Sequence, residues 1–252
     1  MKRLIVLAVL ALAAVPGLAA EKRAPDPDPK ETAARLNAQL AVAYLKQNDV
    51  AEARKKIEKA LQENDKDPAV QSSAGLVYER LLEPAQADRH YSAALRLAPN
   101  DADMVNNYAV FQCRRGNWEK GQKLFEQAAR SPSYATPEVA YANAGVCARS
   151  ARDLKRAEDL FGKALAIRPD YPDALLQMAD LTLARGAGPL AHVYLQRYLL
   201  NGPASPDALL LAVRIARAIA DHAEEGRYAA QLQHDFPDSA QTRELRAGSG
   251  GE

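Results

Sequence analysis

The sequence predicts an all-α superhelix, a solenoid of about six helix–turn–helix repeats. Three observations predict it. First, small residues recur at Ala41, Gly75, Ala109, Gly145, Ala179 and Ala212, spaced 34, 34, 36, 34 and 33 apart. Second, two further series keep the same period. One is Ala53, Ala87, Gly121, Ala157 and Ala191, ending in Glu224. The other is the bulky set Ile57, Tyr91, Phe125, Phe161, Leu195 and Tyr228. Third, aromatic residues make up only 6% of the chain, and β-branched runs of period two are missing, so strands have no sequence support.

The physical reason for such a period is direct. Two antiparallel helices approach closely only where small side chains meet, and bulky residues then fill the groove between neighbouring pairs. One pair cannot bury its apolar face alone, so several must stack. A fourth series, Ala60, Ala94, Ala128 and Ala164, supports the register, and Tyr198 and Gln231 depart from it. Proline closes repeats at Pro99, Pro169 and Pro203, because it lacks an N–H and disfavours helix in the residue before it.

In chain order, residues 1–20 read as a signal peptide. Lys2 and Arg3 precede an apolar run from Leu4 to Val15, too short for a membrane span of about 20 residues, and small residues follow at Ala19 and Ala20. An uncleaved anchor is the alternative. Residues 21–33 are polar and Pro/Asp-rich, the composition of an extended linker. The repeats are read at 34–67, 68–101, 102–135, 138–171, 172–204 and 205–237, with two extra residues near Thr136 and Pro137. The atypical Glu224 and Gln231 mark the last repeat as a cap or a degenerate copy. Residues 238–252 form a C-terminal tail, Gly-rich and disordered at its end.

Composition narrows the function. The 252 residues carry 33 basic and 32 acidic side chains, a net charge of +1, which gives no reason to expect a nucleic-acid partner. Cys113 and Cys147, the only cysteines, are an even pair in an exported chain. They fall on the first helices of adjacent repeats, so a disulfide stapling repeats three and four is the expectation, with two buried thiols as the alternative. His90, His192, His222 and His234 are scattered without metal-site spacing. Arg185-Gly186-Ala187-Gly188 lacks the third glycine and preceding strand of a phosphate loop. Trp118 follows the Gly116-Asn117 turn, where packing is the simpler role. No paired acid–base groups or nucleophile motif stand out, so the sequence predicts no enzyme and no cofactor.

The period and residue order resemble the tetratricopeptide repeat. In that register the concave groove is expected to be lined by Ala38, Val42 and Leu45; Ser72, Leu76 and Glu79; Asn106, Val110 and Arg114; and Ala142, Val146 and Arg149. Leu176, Asp180 and Leu183 would continue it in the fifth repeat. A mixed aliphatic and polar groove suits an extended peptide or a partner helix.

A finer resemblance lies in VNNYAVFQCRRGNWEKGQKLFEQA and SPSYATPEVAYANAGVCA. Their Asn-Asn-Tyr, Cys-Arg-x-Gly, Pro-x-Tyr-x-Thr-Pro and Asn-Ala-Gly-x-Cys elements are similar to the type IV pilus biogenesis/stability proteins, the PilF/PilW family. The resemblance spans roughly residues 34–240. It implies a periplasm-facing six-repeat pilotin that helps the outer-membrane secretin assemble, supporting pilus formation and twitching motility. It also implies that Cys113 and Cys147 form the family's disulfide. Family pilotins are lipoproteins, and no cysteine follows the cleavage point here. That departure implies a soluble periplasmic factor, reaching the outer membrane through a partner, or a natural N-terminus other than Met1. A general envelope scaffold or chaperone for another system, such as cell-wall synthesis, is the competing expectation.

Overall fold

A computed structural model describes residues 28–249. The signal peptide expected at 1–20, the first part of the linker and the last three residues lie outside them. The described residues form thirteen α-helices and no strand. They are α1 (Pro29–Lys46), α2 (Val50–Glu63), α3 (Pro68–Arg80), α4 (Pro84–Leu97), α5 (Ala102–Arg114), α6 (Trp118–Ala129), α7 (Pro137–Ser150), α8 (Leu154–Ile167), α9 (Pro172–Ala184), α10 (Gly188–Asn201), α11 (Pro206–Ala218), α12 (His222–Asp235) and α13 (Ala240–Ser249).

Local chemistry starts these helices. Asp28, Asp49, Asp67, Asp101, Asp153, Ser205 and Asp221 occupy N-caps, and each side chain accepts a hydrogen bond from a first-turn N–H. Proline sits in the first turn of α1, α3, α4, α7, α9, α10 and α11, where its missing N–H leaves no intrahelical bond unmade. Each hairpin turns through one left-handed residue: Asn48, Leu82, Gly116, Arg152, Gly186 and Ala220, with φ between 58° and 79°.

Within each pair the small residues meet the partner helix. Ala41, Ala109, Ala179 and Ala212 are fully buried. At Gly75 and Gly145 an aromatic ring fills the space a methyl would need: a Cβ would lie 2.7 Å from the Tyr91 ring or 2.5 Å from the Phe161 ring. The bulky series, Ile57 through Tyr228, is buried throughout.

The stacking sets the shape. The backbones of the first helices of successive pairs approach one another (α1 with α3, α3 with α5, α5 with α7, α7 with α9, α9 with α11), whereas those of the second helices stay farther apart and meet through long side chains such as Arg156 with Glu126 and His192 with Glu224. The first helices therefore line the inner, concave side.

Three sequence expectations are corrected. The linker read as 21–33 ends early, because Asp28 caps α1 and Pro29 begins it. Pro137, read as part of an insertion, opens α7. The inserted segment instead sends Tyr134 into a cluster with Ala102, Val105, Ala128 and Ala140. The tail read as 238–252 contains α13, which packs on α11 and α12. Thr242 is buried there, its hydroxyl donating to the Leu232 and Phe236 carbonyls, and Leu245 joins the core beside Leu209–Val213. The polar outer residues of α13 let it close the stack.

Candidate functional site: the concave face of repeats one to four

Four helices, α1, α3, α5 and α7, build one cleft of about 540 Å³. Val42, Leu76 and Val110 form an aliphatic stripe along it. Ser73, Asn107 and Asn143 form a parallel polar stripe, with Ser72, Asn106 and Val139 at its edge. The stripes follow from the helix period. Relative to the small crossing residue, the polar stripe lies two positions before and the aliphatic stripe one position after, three residues apart on one helix face.

The wall is fixed by a short network. Glu79 accepts from the Arg114 guanidinium at 3.1 Å and from the Tyr91 hydroxyl at 3.2 Å. Tyr91 lies beneath Gly75, and burial, followed by the Glu79 charge, pushes its hydroxyl far above the ordinary tyrosine range, so it stays a donor. Asn143 donates to Asn106 at 3.2 Å, tying α7 to α5.

A second cleft of about 280 Å³ adjoins the first. Val110, Arg114, Asn143, Val146 and Ser150 surround it, with Phe125, Trp118 and the cysteines also lining it. Cys113 and Cys147 are disulfide-bonded, with Cα atoms 5.6 Å apart. Gly121 makes room for the bridge, since a Cβ there would collide with the Cys113 sulfur.

The structure brings together Val42, Ser72, Leu76, Glu79, Asn106, Val110 and Arg114 of the expected groove, with Val146 in the adjoining cleft. Four expected lining residues are corrected. Ala38 (3% exposed), Leu45 (7%) and Ala142 (3%) belong to the hydrophobic core. Arg149 lines neither cleft; it donates to Gln177 and pairs with Asp180 on α9. Leu176 and Leu183 pack against the core of the last repeats. Ser73, Asn107, Val139, Asn143 and Tyr91 were missed. A shift of one residue on a helix turns a side chain by about 100°, enough to move it from the core edge to the open face. The signal that could have found the polar stripe was visible: Gln39, Ser73, Asn107, Asn143 and Gln177 all hold the same register and all carry an amide or hydroxyl.

Among the described residues, no group of three His, Cys, Asp or Glu side chains could hold a metal ion, and no helix is long and apolar enough to cross a membrane.

Stacked antiparallel pairs with small residues at every crossing define the class: this is a tetratricopeptide-repeat solenoid protein. Models of the tetratricopeptide repeat match residues 34–67 and 148–215, and folds of this class are typically protein-interaction scaffolds. The chain is related to the type IV pilus biogenesis factors PilF and PilW. It is 25% identical to the type IV pilus assembly protein PilF of Pseudomonas aeruginosa over 209 residues, 83% of each chain. The crystal structure of PilW, a widely conserved type IV pilus biogenesis factor, superposes with a TM-score of 0.72 at 29% identity, covering 84% of this chain and 97% of that one. A structure of Pseudomonas aeruginosa PilF, 24% identical, shares the fold with a TM-score of 0.71 over 87% and 99% of the two chains.

Proposed function

We propose that this protein is a non-enzymatic periplasmic scaffold that binds a component of the type IV pilus machinery through its concave face and promotes assembly or stability of the outer-membrane secretin. The observation that carries the reading is the kinship with PilF along 83% of the chain. The two-striped cleft supplies a surface for the binding role: aliphatic side chains remain open beside polar ones that keep hydrogen-bonding capacity, a combination suited to a protein segment rather than a reaction centre. Export by the segment at 1–20 would place the scaffold where a secretin assembles, and an oxidising compartment would keep Cys113–Cys147 closed. Association with the outer membrane would then pass through the partner.

Affinity capture from envelope extract tests the reading. The wild-type protein should recover the secretin, and a Leu76→Arg, Val110→Arg variant with an unchanged circular dichroism spectrum should recover at least tenfold less. Recovery of no pilus component by the folded wild type would sink it.

A further inference from the structure

The register two residues before each helix crossing carries Gln39, Ser73, Asn107, Asn143 and Gln177 on α1, α3, α5, α7 and α9. Three of these, Ser73, Asn107 and Asn143, line one cleft. Among the described residues the side chains of Gln39, Ser73 and Asn107 make no hydrogen bond, and Asn143 uses only its amide N–H towards Asn106. A primary amide offers a donor and an acceptor side by side, which matches the C=O and N–H of a peptide backbone.

Spacing selects the backbone conformation. Packed helices lie about 8–10 Å apart. A polyproline II chain rises about 3.1 Å per residue with three residues per turn, so it presents the same face every ~9.3 Å, and its backbone groups are unpaired. A β-strand returns to the same face every two residues, about 6.6 Å, and falls out of step with the rungs.

Charge selects the side chains. Beyond the aliphatic stripe, the last turns of α1, α3 and α5 place Lys46, Arg80 and Arg114 at the same register, all exposed. Only Arg114 has an acidic partner, Glu79; Arg80 reaches only Asn48, at 3.5 Å. The helix dipole favours a cation at each of these ends, but it does not account for a ladder of amide and hydroxyl side chains running parallel to them.

We propose that the ladder of Ser73, Asn107 and Asn143, with the basic edge of Lys46, Arg80 and Arg114, binds an extended polyproline II segment of the partner that carries a carboxylate at every third residue. The inference rests on the concave face being the protein-binding surface and adds the chemistry of its ligand. One backbone unit pairs with each rung, an aliphatic side chain meets Val42, Leu76 or Val110, and the acidic side chain points to the basic edge.

Fluorescence anisotropy with a labelled peptide of three Glu-Pro-Val units, against one of three Lys-Pro-Val units, tests it. The acidic peptide should bind at least tenfold more tightly. Asn107→Ala with Asn143→Ala should weaken it by about tenfold to thirtyfold, as expected for two lost hydrogen-bonding rungs. Arg80→Glu should weaken it and flatten its salt dependence. Asn107 is exposed and unbonded, so Asn107→Ala alone, with an unchanged melting curve, guards against a folding artefact and should still weaken binding several-fold. Equal affinity for the two peptides, no binding of either, or indifference to the Asn107 substitution overturns the inference. Capture of the pilus component with no binding of the acidic peptide would leave the proposed function standing and remove only the ligand assignment.

Discussion

The packing account makes its sharpest prediction at two glycines. Gly145 lies in α7 under the Phe161 ring, and a Cβ there would sit 2.5, 2.7 and 2.9 Å from three ring carbons. Carbon atoms in contact prefer about 3.5–4.0 Å, so Phe161, itself fully buried, must move. Gly162 lies in the next helix, α8, exposed, with nothing within 4 Å of its Cβ position. Both substitutions to alanine gain the same helix propensity, about 0.8–1 kcal/mol. Their difference therefore isolates the overpacking at Gly145, about 1–3 kcal/mol. Urea unfolding followed by circular dichroism should show Gly162→Ala more stable than wild type and Gly145→Ala less stable than Gly162→Ala by that margin, with similar slopes. In a domain of this size each kcal/mol moves the melting temperature by roughly 2–4 °C. Equal stability of the two variants would refute the claim that the small residues are required by the helix crossing.

Other positions give independent tests. Replacing both Cys113 and Cys147 by serine opens a loop with a sequence separation of 34 and should cost about 3–4 kcal/mol on the chain-entropy estimate; wild type in reductant should match the variant in a denaturant titration. Leu82 is left-handed at φ 59° and 86% exposed, so Leu82→Gly removes a strain of about 1–2 kcal/mol against a lost chain entropy of about 0.5–1 kcal/mol, and the midpoint should rise. His90 stacks on Tyr78 with centroids 5.1 Å apart and its Nδ1 lies 2.7 Å from the Gln71 Oε1. Burial, then the neighbouring Arg89 charge, lowers its pKa below the ordinary value of 6.5. The unfolded chain then takes up the proton first, so His90 leaves stability intact above about pH 7.5 and reduces it as pH falls through about 6.5 towards the lower folded value. Urea midpoints at pH 7.5 and 5.5 should show this loss in wild type and a smaller one in His90→Phe.

Much of the fold was legible because it rests on a repeated local rule. The alanine and glycine series could be read directly, since only small residues allow the crossings, and proline and aspartate mark the helix starts. The ends were less legible. Pro29 and Asp28 look like linker until the cap is seen, and α13 has a weak apolar pattern that becomes meaningful only when Thr242 and Leu245 dock beside α11 and α12. The groove was readable as a helix face but misplaced by one residue at several positions. Ala38, Leu45 and Ala142 are apolar in sequence like Val42, and only the approach of the neighbouring helix decides which are covered. Tyr91 comes from a second helix, which a reading confined to first helices could not include.

The central claim is that the concave face of repeats one to four engages a pilus component. Its most direct measurement is secretin multimer content, scored on a gel, in a deletion strain complemented with wild type or with the Leu76→Arg, Val110→Arg variant at equal abundance. Wild type should restore multimers and twitching, and the variant should restore neither. Full restoration by the variant would contradict the account.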